Sequence, residues 1–205
     1  MSPSPHIIYL ASKSPRRREL LKQIGVQYEL LMIRDQPPAR LDIDESALAG
    51  ELPRSYVERV VKLKADAASR IMRSRRLPVR PILTADTTVA VGDEILGKPA
   101  NTDDARAMLT KLSGQTHQVL TAVAVSFDFD THLLLSTSYV TFTTLSEADI
   151  RRYLDSGESK DKAGAYAIQG LAAKWVSKIS GSYSGVMGLP LHETTQLLRK
   201  AGLAL

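Results

Sequence analysis

Two long β-rich runs, His117–Phe127 and His132–Phe142, are separated in the chain only by a short polar connection. They predict an antiparallel hairpin. Around it, strand-like and helix-like stretches alternate. Ile7–Ala11 is an apolar run, and the stretch that follows carries Leu20, Leu21 and Ile24 at helical spacing. Gln27–Ile33 reads as a strand and Arg34–Pro53 as a loop. Arg54 to about Arg75 reads as a helix with Val57, Val60, Val61, Ala67, Ala68 and Ile71 on one stripe, ended by Pro78 and Pro81. Ile82–Ala85 and Val89–Val91 are strand-like, and Gly92-Asp93 turns the chain back through Glu94–Leu96. Thr102–Leu112 reads as a helix capped by Thr102 and stopped at Gly114. Ser146-x-x-Asp149 opens a short helix, Lys174–Ser180 is a strand, and Leu191–Lys200 is a last helix. Alternation interrupted by one long hairpin predicts an α/β fold with a mixed sheet rather than a purely parallel one.

A chain of 205 residues supports one sizeable core or two small lobes around a cleft. It has no cysteine, which excludes disulfides and thiolate metal sites. No apolar run approaches the roughly 20 residues of a membrane span. Met1–His6 lacks a basic segment followed by a long apolar one, so no leader is read there and a cytoplasmic protein is expected. The formal charge of +5 is compatible with nucleic acid, acidic lipid or a phosphorylated small molecule as partner. Sparse aromatic residues speak against a base-stacking platform for single strands. Arg70, Arg73, Arg75, Arg76 and Arg80 fall near the end of a long helix, where positive charge is favoured without any ligand.

The other arginine cluster is placed differently. Ser12-Lys13-Ser14-Pro15-Arg16-Arg17-Arg18 joins a strand to a helix, with Ser14 positioned to cap and Pro15 in the first turn. Arginines in the first turn oppose the helix dipole unless an anion sits there, and a phosphate is the natural one. Asp86 breaks an apolar strand and serves either as a turn cap or as a site carboxylate. Lys64 lies on the apolar stripe of its helix, as a snorkelling side chain or as a site cation. Lys98, in Gly97-Lys98-Pro99, is either surface decoration or a third site cation. The glycine-punctuated stretch Gly157–Gly170 is either a linker or a loop that brings backbone amides and Gln169 against a flat ligand. Taken together, cations for a polyphosphate stand beside two carboxylates, Glu45 and Asp86, that suit a hard divalent ion. No Walker loop and no kinase signature is present.

These residues resemble the Maf family of nucleoside triphosphate pyrophosphatases, from about Ile8 to Leu198. The matching blocks include Leu10–Arg17, Asp44-Glu45, Tyr56–Arg59 with Lys64-Ala65, Ala85-Asp86-Thr87, Leu96–Pro99, Leu112–Gly114, Asp161–Tyr166 with Ile168–Gly170, and Gly181–Tyr183 with Val186–Pro190. Ala167 stands where the family usually has glycine. Arg16, Thr87 and Gln169 match the dTTP/UTP subgroup, whereas the sister subgroup acting on 7-methyl-GTP carries Trp, Gln and Glu there.

The resemblance implies a single domain over residues 1–205, with a twisted mixed sheet flanked by helices and two lobes around a central cleft. It implies an enzyme that is often a homodimer and splits dTTP or UTP into monophosphate and pyrophosphate with Mg²⁺ or Mn²⁺. Asp86 is then the proton acceptor, Glu45 and Asp86 the metal ligands, and Ser12, Arg16, Arg17, Lys64, Thr87, Lys98 and Gln169 the substrate-binding residues. Neither nucleic acid nor membrane is an expected partner. The alternatives are a pyrophosphatase for modified pyrimidine nucleotides such as 5-methyl-UTP or pseudo-UTP, and a basic binding protein acting on cell division without catalysis.

Overall fold

The computed structural model describes residues 7–32, 43–128 and 130–205. The expectations placed on Met1–His6 and on Ile33–Asp42 lie outside them. The strands are β1 (Ile7–Leu10), β2 (Gln27–Leu30), β3 (Ile82–Val91), β4 (Glu94–Leu96), β5 (Thr116–Phe127), β6 (Asp130–Phe142) and β7 (Val176–Ser180). The helices are α1 (Pro15–Gln23), α2 (Pro53–Ser74), α3 (Thr102–Leu112), α4 (Glu147–Asp155), α5 (Tyr183–Val186) and α6 (Leu191–Lys200). The seven strands form one sheet in the order β2-β1-β3-β5-β6-β7, with β4 also paired to β3. β1 runs parallel to β2 and β3, whereas each neighbouring pair in the run β3-β5-β6-β7 is antiparallel, so the sheet is mixed as expected.

Both faces of β3 follow one plan. On one face Ile82 packs with Ala68, Ile71 and Met72 of α2, and Ala90 packs with Val57, Val61 and Ala65 of the same helix. Between these two apolar groups lie Asp86 on the strand and Lys64 on the helix. On the other face Leu83 and Ala85 join Val123 and Val125 under α1 and α6, while Val89 and Val119 join Leu109, Leu112, Phe142, Tyr166 and Trp175. The residues between them are Thr87 and its direct partner across the ladder, Thr121. Alternation along a strand sends successive side chains to opposite faces. A polar pair in mid-strand therefore divides the core on each side.

Several local expectations shift. β3 is one continuous strand through Asp86, because its ladder with β5 is unbroken from Ile82 to Ala90. α3 is capped by Asn101, whose side chain accepts from the Asp104 amide, and Thr102 is the first helical residue. Ser14 occupies the cap position of α1 but its side chain makes no capping bond. The segment Leu171–Trp175 is a 3-10 turn, so β7 starts at Val176. The capping box of α4, Ser146 with Asp149, forms as the spacing predicts.

Candidate active site

Asp86 is buried in mid-strand, which is costly for a carboxylate without a partner. Lys64 supplies one: its Nζ lies 2.6 Å from Asp86 Oδ1 and 3.0 Å from Glu45 Oε2. The lysine on the apolar stripe of α2 therefore turns inward and bridges two carboxylates instead of snorkelling. Glu45 is held by the first turns of α2. Tyr56 donates to the Glu45 carbonyl at 2.9 Å. Arg59 grips Glu51 through two contacts of 2.7 Å and donates to the Ser46 carbonyl at 2.8 Å. The hydrogen bonds from Arg59 hold the Glu51 carboxyl down at about 2. Burial, then the charges of Asp86 and Glu45, push the Tyr56 phenol up to about 12.

The donor set at this point is two carboxylates from different elements aimed at one cation. Hard oxygen donors in that number fit a divalent ion that keeps waters and takes its other ligands from phosphate. Among the described residues no group of three or more acidic or histidine side chains forms a closed metal cage.

Across the cleft, Arg17 extends from the first turn of α1. Its Nε donates to the Gly188 carbonyl at 2.7 Å, Nη1 to Ser12 Oγ at 3.1 Å and Nη2 to Thr87 Oγ1 at 3.3 Å. Three of the five N–H groups of an arginine are thus spent on the protein, and two remain. Burial lowers the Arg17 guanidinium below its ordinary value, and Asp86 opposes that shift. Ser12 also accepts from the Ser14 amide at 3.2 Å, so one hydroxyl orders both the loop and the arginine.

The third wall joins the Gly97-Lys98-Pro99 turn to the segment Asp161–Gln169. The Gly164 amide donates to the Gly97 carbonyl at 3.0 Å. Gly164 has φ +67°, and a Cβ there would lie 2.9 Å from Val89, so this contact requires glycine. Ala165 follows with φ +60°, a strained conformation for a residue with a side chain. Tyr166 is anchored through its hydroxyl to His117 Nε2 at 2.8 Å. The Ala167 amide donates to the Tyr153 hydroxyl at 3.2 Å, and that hydroxyl donates to Glu158 at 3.0 Å. Gln169, beyond these anchors, is exposed.

One cleft of ≈ 1030 Å³ is lined by every residue expected from the sequence: Ser12, Arg16, Arg17, Glu45, Lys64, Asp86, Thr87, Lys98 and Gln169. Tyr56, Lys162, Tyr166 and Gly188, which stand in the matching blocks without a site role assigned from sequence, also line it. Burial lowers the Lys162 ammonium, and Arg16 and Lys98 push in the same direction, so these three cations share one region. Lys162 sits beside Asp161 in a block already read as special, and its charge was the available signal. Nothing in the sequence pointed to Thr121.

Arg70, Arg73 and Arg80 lie elsewhere, around a separate hollow of ≈ 390 Å³ that also holds Asp66, Asp128 and Asp130. No helix among the described residues is long and apolar enough to cross a membrane.

A protein named dTTP/UTP pyrophosphatase from Cupriavidus pinatubonensis is 58% identical over 196 residues, covering 96% of this chain and 97% of that protein. Proteins of the same name from Ralstonia nicotianae and Nitrosomonas europaea are 55% and 49% identical, each covering 100% of this chain and 98% and 99% of their own lengths. The solved Staphylococcus aureus Ham1 protein overlaps 66% of this chain and 71% of its own at 17% identity, with a TM-score of 0.47. The model of the Maf-like protein family matches residues 7–201, a span containing every cleft residue named above, and the chain belongs to that family.

Proposed function

We propose that the protein is a nucleoside triphosphate pyrophosphatase that hydrolyses dTTP and UTP to the monophosphate and pyrophosphate. The observation that carries this is the convergence on one cleft of Arg17, with two N–H groups unspent, and the Lys64-bridged pair Asp86 and Glu45. Support comes also from the relatives named dTTP/UTP pyrophosphatase, which match this chain over nearly its whole length.

The chemistry follows from charge. Arg16, Arg17, Lys98 and Lys162 bind the triphosphate and offset the charge that builds on the leaving pyrophosphate. Asp86 and Glu45 are the residues that would hold a Mg²⁺ or Mn²⁺ ion, which would supply Lewis-acid polarisation of the phosphoryl oxygens. With Oδ1 engaged by Lys64, Asp86 takes the proton of the attacking water at Oδ2. The water oxygen bonds to phosphorus, the α–β anhydride bond breaks, and the bridging oxygen leaves on pyrophosphate with the electron pair. Gln169 presents both a donor and an acceptor, which suits the alternating acceptor–donor–acceptor edge of uracil and thymine.

The test is chromatography of the products from dTTP, UTP, CTP, ATP and 7-methyl-GTP with Mg²⁺ and with Mn²⁺. The expected result is dTMP or UMP with pyrophosphate, and little turnover of the others. Release of the diphosphate with orthophosphate overturns the assignment.

A further inference from the structure

Thr87 and Thr121, paired across β3 and β5, belong to a hydrogen-bond chain whose direction is forced from both ends. Arg17 Nη2 can only donate, and it donates to Thr87 Oγ1. The Gly185 carbonyl can only accept, and it takes the Thr121 hydroxyl proton at 2.8 Å. The 2.9 Å contact between the two hydroxyls therefore uses the Thr87 proton, with Thr121 as acceptor. While this chain is intact, Thr87 has no proton to give a nucleobase. Toward a ligand it can act only as an acceptor, through its remaining lone pair, or through the arginine that it orients.

The far end of the chain is anchored. Ser182 caps the turn that contains Gly185, and its amide donates to Ser138 of β6 at 2.9 Å. Three residues on, Gly188 holds Arg17 Nε. Gly188 has φ +111°, and a Cβ there would stand 3.5 Å from Thr87 Oγ1 and 3.7 Å from Arg17 Nε. Glycine is suited to that conformation. The guanidinium is thus gripped on two edges by one short segment, directly through Gly188 and indirectly through Gly185, Thr121 and Thr87. Thr121 itself is fully buried and does not line the cleft.

We infer that Thr121 is a positioning residue for the nucleotide site. By accepting the Thr87 proton it keeps the Thr87 oxygen turned to Arg17 and sets the plane of the guanidinium that meets the triphosphate. This rests on the pyrophosphatase reading above only for the identity of the anion.

The experiment compares Thr121→Val, which keeps shape and removes the hydroxyl, with Thr121→Ser, which keeps the hydroxyl. Each is made in the wild-type and Arg17→Ala backgrounds. The readouts are kcat/KM for dTTP and the ¹H–¹⁵N resonance of Arg17 Nε. Thr121→Val is expected to lower kcat/KM up to about tenfold, the upper end of the scale for one neutral hydrogen bond. It is also expected to shift the Arg17 Nε resonance and speed its exchange. Thr121→Ser should recover most of both. On Arg17→Ala, Thr121→Val should cost nothing further, because the coupled partner is gone. A full loss persisting on Arg17→Ala, an Arg17 resonance indifferent to Thr121→Val, or a serine no better than valine overturns the inference. If Thr121→Val does not fold, Thr121→Ala, which also removes the hydroxyl, takes its place in the same backgrounds and decides by the same criteria. A wild-type protein that hydrolyses no nucleotide removes the functional reading alone, and the Arg17 resonance still decides the role of Thr121.

Discussion

The cleft and the hollow beside the end of α2 are both rich in cations but are assembled differently. In the cleft, Lys64 is spent on two carboxylates, while Arg17 is held on three sides by a carbonyl and two hydroxyls with N–H groups to spare. In the hollow, Arg80 pairs with the half-exposed Glu29 at 2.7 Å and lies over the Tyr9 ring, and Arg70 donates to the Asp66 carbonyl of its own helix. The surrounding acids, Asp66, Asp128 and Asp130, offset that charge locally. Cations near a helix C-terminus are favoured by the dipole and by solvent, and need no ligand. Cations fixed in advance by buried partners lose little freedom when an anion arrives. Charge alone does not separate the two regions; the way each cation is held does.

The most damaging way to break the cleft is at Asp86. Asp86→Asn keeps the shape but removes the proposed proton acceptor and one full charge, so turnover of dTTP is expected to fall about 10²–10⁴-fold. Thermal melting of the variant with and without dTTP and Mg²⁺ separates this from misfolding. A folded variant with turnover within a few-fold of wild type removes Asp86 from the chemistry. Next in size are Arg17→Ala and Lys98→Ala, each expected to lower kcat/KM about ten- to a hundredfold through lost charge-assisted contacts.

The support beneath the cleft can be probed by pH. Burial pushes His117 down to about 4 from 6.5. Between those values the unfolded chain binds the proton and the folded chain does not. Stability is therefore lost as the pH falls from 6.5 towards 4, by about 3 kcal/mol at most. His117→Gln retains a hydrogen-bonding group for Tyr166 and does not titrate. Denaturant unfolding at pH 7 and pH 5 should show a smaller acid loss in the variant than in wild type. Equal losses would assign the effect to another group.

Gln169→Glu tests selectivity rather than assembly. It removes the amide donor and should lower kcat/KM for dTTP and UTP about tenfold, while leaving other nucleotides less affected. A uniform loss across nucleotides makes Gln169 structural. The smallest effect is expected in the hollow. Arg70→Ala and Arg73→Ala should leave dTTP turnover within about twofold, because solvated surface charges contribute little. Sensitivity there comparable to Arg17 would erase the contrast and favour a broad basic binding face.

Much of the fold was legible because its signals are local. The hairpin of β5 and β6, the apolar stripe of α2, the capping box at Ser146 and the turn at Gly92-Asp93 depend on neighbours a few residues away. The misplaced details are also local contests. Asn101 and Thr102 are both able to cap, and Asn101 wins by accepting from the Asp104 amide. Asp86 reads as a break in a strand because an isolated carboxylate there is costly. The strand continues because Lys64 arrives from another element.

The sequence by itself determined which chemical groups the candidate site contains: the arginines in the first turn of α1, the lysine on the apolar stripe of α2, the carboxylate in β3 and the glutamine of the late loop. Tertiary structure alone decided what those groups do. Lys64 meets Asp86 across 22 positions of chain, Thr87 meets Thr121 across 34, Thr121 meets Gly185 across 64, and Arg17 meets Gly188 across 171. Helix and strand periodicity correlate residues only over a few positions. Whether a buried polar group is satisfied depends on partners that only the packed sheet brings within reach. That is why Thr121, unremarkable within its strand, could be recognised only once β3, β5 and the Gly185–Gly188 turn were in place.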